Sequence, residues 1–278
     1  MERSTSNAES AESATPAGGG AKIQGSQTLL RGLDMLDKVI DGPVKLAELS
    51  ARMALTRSTT HRLANALIDR GFLSYLPRDG YQLGPKLIQL GFLAQSQADI
   101  VQIARPRMEA LAAETEDTVH LGRMDGDLAL YLDKIPGRRR VEISSRIGDR
   151  QPLTSTGLGK ALLIDAAESD WERLYAADAA RGQQHTDRGL WFERMRSYAG
   201  AGHAFDLEEN EDLIRCVAAP VRDVSSRIVA AISVSSAAQY MDDDRMAALS
   251  AQVRGTAEAI STDLGWSAEM RPARKHRR

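Results

Sequence analysis

The order of the elements predicted between residues 26 and 84 constrains the fold of this chain more than any other feature. Apolar residues at helical spacing predict a first helix, which Asp41-Gly42-Pro43 ends; they are Leu29, Leu33, Leu36 and Ile40. A shorter helix follows, and a third begins at Thr56 and ends near Arg70. Two β-like runs at 72–75 and 81–83 flank a Pro-Arg-Asp-Gly turn. This order predicts a winged helix-turn-helix.

The third predicted helix has two distinct faces. Its inward face would pack on the first two helices through Thr60, Leu63, Ala64 and Leu67. Its outer face carries hydroxyl, amide, imidazole and guanidinium groups, and no carboxylate precedes Asp69. In a major groove, arginine can bind guanine through two hydrogen bonds, and asparagine can bind adenine in the same way. The residues expected to contact double-stranded DNA are Thr56, Arg57, Ser58, Thr59, His61, Arg62 and Asn65, with Arg78 at the hairpin tip.

Composition excludes several other classes of protein. The single cysteine, Cys216, rules out an intramolecular disulfide framework and a multi-cysteine zinc site, and we predict neither a metal nor a cofactor. No apolar run approaches the roughly 18 residues of a membrane span, and no secretory signal is recognisable, so we expect a cytoplasmic protein without a membrane partner. The net charge is −2, but residues 26–84 carry 8 Lys and Arg against 6 Asp and Glu. DNA binding is therefore expected at an end of the chain.

The rest of the chain mixes strands and helices. β-like runs occur at 118–121, 128–135, 141–147, 216–221 and 228–235, and turn signals follow 124 and 135. Helical segments are predicted at 157–167, 168–177, 190–201 and 242–264, and Pro106 is expected to begin a helix. These elements predict an α+β domain built on an antiparallel sheet. The predicted division is a disordered tail 1–24, a DNA-binding domain 25–84, a linker helix 85–99, an effector domain 100–265 and a basic tail 266–278.

Three ordered blocks of the sequence resemble the IclR family of bacterial regulators. They are SQTLLRGLDMLDKV with KLAELSARMALTRSTTHRLANALIDRGFL and YQLGPKLIQLG, then RIGDRQPLTSTGLGKALL, and then GHAFDLEENEDLIRCVAAPVRD with IVAAISVS. Within the family, the second block and DTVHLGRMDGDLALYLDKI look most like the regulators of 2-keto-3-deoxygluconate and sugar-acid breakdown. The resemblance implies a ligand-responsive repressor or activator that binds an inverted-repeat operator as a homodimer or tetramer. Ser50 and Ala54 replace the usual Ala and Gly, so the turn geometry is expected to differ.

The resemblance also implies a GAF-like effector domain with a closed pocket for a small molecule, such as a sugar acid or a 2-keto acid. Carried over by motif, the pocket residues are Gly157, Leu158, Asp206, Cys216, Ser233 and Ser235, with His120 as a further lining donor. The two serines stand two apart on one strand, so both hydroxyls would point to the same side of the sheet. Taken alone, each residue also has a structural interpretation. Cys216, for example, could be a small core residue.

Two other functions compete with the regulator. In an enzyme, Cys216 would be the nucleophile, Asp206 would orient the base, and the base would be His120, His185 or His203. No glycine-rich nucleophile turn or metal-ligand spacing surrounds these residues. In a protein-interaction module, the small domain would bind a partner instead of DNA. The acidic cluster at 208–211 and the arginine run at 138–140 are interpreted as exposed, although a quaternary or DNA-proximal role is open for the arginines.

Overall fold

A computed structural model describes residues 27–140, 143–182 and 186–268. The chain divides into two compact units, and the division falls between Ser96 and Gln97. The predicted tail 1–24, residues 269–278 of the basic tail, and His185 lie outside the described residues. Across the part that is described, no helix is both long enough and apolar enough to cross a membrane.

The N-terminal unit contains the predicted succession of elements. Helices α1 (Gln27–Asp37), α2 (Leu46–Met53) and α3 (Arg57–Asp69) precede the antiparallel hairpin of β1 (Leu73–Leu76) and β2 (Gly80–Leu83). Helix α4 (Pro85–Gln97) follows the hairpin. An isolated bridge between Val44 and Tyr81 ties the segment before α2 to the hairpin. The winged helix-turn-helix prediction is confirmed.

The core of this unit takes residues from α1, from the segments around α2, from α3 and from the hairpin. Its buried residues are Met35, Val39, Val44, Leu49, Ala64, Leu73 and Tyr81. The predicted helix is present, but most of the residues that indicated it lie outside this core, because Leu29, Leu33 and Ile40 are 64%, 51% and 55% exposed. Met35 and Val39 of the same segment are buried instead. Helix α1 therefore presents leucines on its outer side.

The turn between α2 and α3 keeps the left-handed conformation without a glycine. Ala54 has φ 53° and ψ 38°, and its N–H donates to the carbonyl of Ala51. The N–H of Leu55 donates to the carbonyl of Ser50, which closes the end of α2. The expectation that Ala54 would alter the turn was wrong, because these hydrogen bonds hold an alanine in a conformation that glycine adopts more easily.

Replacing Ala54 with glycine should stabilise this turn. A left-handed conformation costs an L-residue about 1–2 kcal/mol, and the greater freedom of unfolded glycine offsets about 0.5–1 kcal/mol of that gain. We expect Ala54→Gly to raise local stability by roughly 0.5–1 kcal/mol. Hydrogen exchange of the Leu55 amide in the full chain measures the change. Faster exchange of the Leu55 amide in Ala54→Gly than in the wild-type protein would contradict the idea that the left-handed conformation strains Ala54.

The C-terminal unit is built on a six-stranded antiparallel sheet in the order β5-β4-β3-β8-β7-β6. Its strands are β3 (Thr118–Asp125), β4 (Leu128–Ile135), β5 (Arg150–Pro152), β6 (Ala204–Leu207), β7 (Ile214–Arg222) and β8 (Ile228–Ala237). Helices α5 (Ile100–Thr115) and α9 (Asp243–Asp263) pack with one apolar cluster. Helices α6 (Gly157–Leu162), α7 (Glu168–Ala180) and α8 (Arg188–Ala201) contribute to a second cluster on the other face. The α+β prediction is confirmed.

Two local predictions in this unit were wrong, and two short strands were missed. Residues 143–147 form no strand, because the chain after Gly137 returns to the end of α5, where Arg138 N–H donates to Glu116 O; residues 141–142 are outside the described residues. Pro106 lies inside α5, since Asp99 caps that helix seven residues earlier. Strands β5 and β6 were not predicted, because three or four residues beside a loop leave little periodic signal.

Candidate DNA-reading face and effector site

The outer side of α3 is the first candidate site. Thr56 caps the helix, accepting a hydrogen bond from Thr59 N–H at 3.3 Å, and its carbonyl accepts one from the buried Thr60 hydroxyl at 3.0 Å. Ala64 is fully buried one turn later. Because Thr60 and Ala64 fix the inward face, the opposite face must point to solvent. Its exposed residues are Thr56, Arg57, Ser58, His61, Arg62 and Asn65, with Thr59 half-buried.

The charged groups of this face are available to an external partner. In the part of the chain that the structure describes, neither Arg57 nor Arg62 forms an ion pair. His61 and Asn65 lie one turn apart, with 3.4 Å between His61 Nδ1 and Asn65 Nδ2. Arg78 is exposed in the turn between β1 and β2. The face therefore combines free guanidinium groups with short polar side chains, as groove recognition requires.

The second candidate site lies on the sheet of the C-terminal unit. Register places Asp206 opposite Cys216, Cys216 opposite Ser235, and Ser233 opposite His120. Directly opposed residues in antiparallel strands point to the same side. The structure thus brings these five predicted residues to one side of four neighbouring strands. We call this side, which also carries Tyr131 and Lys134, the site face; all five predicted residues are buried.

The remaining two predicted residues come from α6, which packs against this face. Thr156 caps the helix, accepting from Gly159 N–H at 3.0 Å, and Leu158 is buried in the second apolar cluster. A Cβ atom added to Gly157 would lie 2.5 Å from Cys216 Sγ and 3.2 Å from Asp206 N. Glycine at 157 therefore allows the start of α6 to approach the strands closely. The binding roles of the seven residues stay predictions.

Adding one methyl group at Gly157 should disturb this contact. We expect Gly157→Ala to lower the free energy of unfolding of the C-terminal unit by about 1–3 kcal/mol, as overpacking does. Urea unfolding followed by tryptophan fluorescence measures this free energy, because Trp171, Trp191 and Trp266 all belong to this unit. Adding Cys216→Ala removes the sulfur and should recover part of the loss. If the double variant is no more stable than Gly157→Ala alone, the close contact between position 157 and the Cys216 sulfur is not the cause of the loss.

His120 is a neutral imidazole between two hydroxyl groups. Its Nε2 lies 2.7 Å from Ser145 Oγ, its Nδ1 lies 3.5 Å from Ser235 Oγ, and its ring stacks on Tyr131 at 5.1 Å. Burial, together with the positive charge of Lys134, lowers the pKa of His120 to about 3. The ring therefore donates through one nitrogen and accepts through the other at neutral pH.

A buried ionic cluster beside α6 was missed from the sequence. Lys160 forms an ion pair with Glu209 and donates to Phe205 O at 3.0 Å. Glu209 also accepts from Arg194 at 2.9 Å and from Thr186 at 2.8 Å. The interpretation of 208–211 as an exposed cluster was therefore wrong for Glu209, which is 5% exposed. The lone lysine in the apolar segment STGLGKALL was the signal that could have indicated a buried partner.

The electrostatics of the site keep its thiol neutral. Burial raises the pKa of Cys216 to about 12, and the neighbouring Asp206 adds to the rise. Burial also raises the pKa of Asp206, while Lys160 acts in the opposite direction. A thiol with such a pKa is a poor nucleophile. His203 Nδ1 donates to Ala201 O, 3.2 Å away, and its ring meets the Phe205 ring edge-on, so His203 is not arranged as a base for Cys216. No group of residues that could hold a metal occurs among those described.

The arginines at 138–140 were predicted to be exposed, but Arg139 is partly buried. Arg139 donates to the buried carboxylate of Asp117 at 2.6 Å and to Thr115 O at 3.2 Å, and its guanidinium lies over the Tyr240 ring. Arg245 binds the same carboxylate. Arg139 therefore fixes the segment after β4, whereas Arg138 and Arg140 are exposed.

Comparison with known proteins identifies both units. Residues 28–77 match the IclR helix-turn-helix domain, and residues 92–262 match the bacterial transcriptional regulator IclR C-terminal domain. The transcriptional regulator XynR of Escherichia coli is 32% identical over 88% of this chain and 99% of its own length. The regulator KdgR of Escherichia coli is 28% identical over 80% of this chain and 86% of its own length.

A solved structure supports the same conclusion about the fold. The repressor BlcR of Agobacterium tumefaciens superposes with a TM-score of 0.76 and 24% identity, over 87% of this chain and 98% of that one. The family and these relatives are transcriptional regulators, which decides against the enzyme that was weighed from Cys216. The chain belongs to the IclR family of bacterial transcriptional regulators, with a helix-turn-helix domain and an effector domain.

Proposed function

We propose that this protein binds an inverted-repeat operator through the outer side of α3 and changes its affinity when a small carboxylate binds the site face. The observation that carries the proposal is the free polar face of α3, from Arg57 to Asn65, on a helix whose opposite face packs in the core of the N-terminal unit. Arg62 and Asn65 would read bases, while Arg57 and Arg78 would contact phosphates. A regulator of bacterial DNA works in the cytoplasm, where we place it.

The proposed operator-binding species is a homodimer, which can pair further into a tetramer. Two helices of the N-terminal unit carry exposed apolar side chains: Leu29, Leu30 and Leu33 on α1, and Ile88 and Phe92 on α4. Exposed apolar surface of this kind is typical of a partner interface. A twofold dimer also doubles the phosphate contacts, which compensates for a modest basic excess.

The proposed effector is a sugar acid or a 2-keto acid. Hydroxyl, imidazole and carboxylate groups line the site face at Ser233, Ser235, His120 and Asp206, and such groups match the hydroxyls of a sugar acid. The sequence resemblance to regulators of sugar-acid breakdown and the match to KdgR support the same class. An effector that prefers one arrangement of the dimer would shift operator affinity by about 1–3 kcal/mol.

Fluorescence anisotropy with the DNA upstream of the gene tests the proposal. We expect binding to that duplex to be at least about 10³-fold tighter than to a scrambled duplex, and to weaken steeply as salt rises. A sugar acid or 2-keto acid from a thermal-shift screen should then change the operator affinity. Equal affinity for both duplexes would contradict sequence recognition, and salt-independent binding would contradict contact with the phosphate backbone.

A further inference from the structure

One lysine on the site face, Lys134, has no acidic partner among the residues that the structure describes. Lys134 in β4 lies directly across from His120 in β3, so the two side chains share the site face. Lys134 Nζ donates to the backbone carbonyls of Ile143, at 2.6 Å, and of Ser145, at 2.7 Å. Counting only residues that the structure describes, no carboxylate pairs with it. An ammonium forms a stronger hydrogen bond with a carboxylate than with a neutral carbonyl.

The two carbonyls belong to a segment, residues 143–149, that we call the strap. The Ser145 hydroxyl lies 2.7 Å from His120 Nε2, so Lys134 and His120 both hold the strap against the site face. Its far end is tied to β4, because Gly148 N–H donates to Tyr131 O and Tyr131 N–H donates to Asp149 O. The strap is therefore fixed at one end by backbone, and at the other it is held by Lys134, by His120 and by a hydrogen bond from Ser144 Oγ to Glu211 Oε2 at 3.3 Å.

The other cations near this face are already paired. Lys160 and Arg194 both bind the Glu209 carboxylate, and Lys160 also donates to Phe205 O. A ligand carboxylate would have to displace a buried ion pair to reach them, which is costly. Displacing two neutral carbonyls from Lys134 requires no separation of opposite charges. Lys134 is thus the better receptor for an incoming anion.

Resting on the proposed function, we propose that Lys134 binds the carboxylate of the effector, and that the strap occupies its ammonium until the effector arrives. The incoming carboxylate replaces the carbonyls of Ile143 and Ser145, and the strap keeps only the weaker hold of Ser145 on His120 and of Ser144 on Glu211. Binding at Lys134 is thereby converted into a movement of a surface segment. No other residue has to change its charge.

Calorimetry with gluconate and gluconamide tests whether Lys134 binds the effector carboxylate, a role that we call the anchor. The two probes share their hydroxyls and differ in charge. We expect the wild-type protein to bind gluconate about 10- to 100-fold more tightly than gluconamide, as a charged hydrogen bond predicts. Lys134→Gln should bind the two probes equally. Arg123→Gln, which removes a positive charge from the exposed Arg123 of the neighbouring strand, should keep the wild-type preference.

Hydrogen exchange in the full chain tests the strap. In the wild-type protein, gluconate should speed hydrogen exchange in peptides that cover residues 143–147. In Lys134→Gln, the same peptides should exchange equally fast without any ligand. If Lys134→Gln still prefers gluconate to gluconamide, Lys134 is not the anchor. If gluconate leaves the exchange of residues 143–147 unchanged in the wild-type protein, the effector does not release the strap. If the wild-type protein binds none of gluconate, 2-keto-3-deoxygluconate and pyruvate, both the role of Lys134 and the proposed effector class are wrong. Operator binding, measured on the same preparations, tests the rest of the proposed function independently.

Discussion

Arg62→Ala should abolish the preference for operator over scrambled DNA. Arg62 is exposed in the middle of the polar face of α3 and forms no ion pair within the described chain, so its guanidinium is free for a base. A bidentate contact with guanine contributes about 1–3 kcal/mol of discrimination. Two copies in a dimer double that contribution, and about 1.4 kcal/mol corresponds to tenfold in affinity. Anisotropy with both duplexes measures the loss.

The matched control is Arg70→Ala. Arg70 is also exposed, but it caps the far end of α3, eight residues from Arg62. Its removal tests whether any positive charge on this helix has the same effect, and we expect discrimination to stay within a few-fold of wild type. Unchanged far-UV circular dichroism and an unchanged thermal melting curve in both variants would show that folding is intact; tryptophan fluorescence cannot show this, because all three tryptophans lie in the C-terminal unit. Discrimination that survives in Arg62→Ala would show that the wrong side of α3 was assigned to DNA.

Lys160→Met should destabilise the C-terminal unit more than Gly157→Ala does. The Lys160 side chain is 1% exposed and the Glu209 side chain 6%, so the substitution leaves a buried carboxylate with only Arg194 and Thr186 as side-chain partners. Removing one partner of a buried pair costs about 3–5 kcal/mol. Urea unfolding followed by tryptophan fluorescence measures this loss, since all three tryptophans lie in this unit.

A double variant separates the ion pair from simple packing. Replacing both partners, in Lys160→Met with Glu209→Leu, removes the uncompensated charge and should cost less than the sum of the two single changes. Arg194 is partly exposed and can turn its guanidinium towards solvent in that variant. Additive costs would indicate that the two side chains stabilise the unit independently, against the network described here.

The sequence predicted the DNA-binding unit well because its signals are local. The alternation of Thr60 and Ala64 with polar neighbours fixed both faces of α3, and the Pro-Arg-Asp-Gly turn fixed the hairpin. The first helix was predicted correctly, but its buried side could not be predicted, because its apolar residues form two stripes and only tertiary contacts decide which is buried. In the same way, hydrogen bonds to Ala51 and Ser50 hold Ala54 in a conformation that alanine disfavours.

The effector unit was harder to predict because its site depends on contacts distant in sequence. Residues from β3, β6, β7 and β8 meet only through strand pairing, so family motifs had to supply what periodicity could not. Glu209 looked like one of several solvated acids until Lys160, 49 positions earlier, was found beside it. The strap resembles a strand in composition, yet its Ser145 carbonyl accepts from a lysine side chain.

The most direct test of the account is whether operator DNA covers the polar face of α3. The only native thiol, Cys216, is buried and has a raised pKa, so a maleimide should react selectively with a Ser58→Cys variant. We predict that operator DNA slows this labelling at least about tenfold, in line with a specific complex, while scrambled DNA does not. Labelling of the control Asp69→Cys should be unaffected. Equal labelling of Ser58→Cys with and without bound operator would contradict the account.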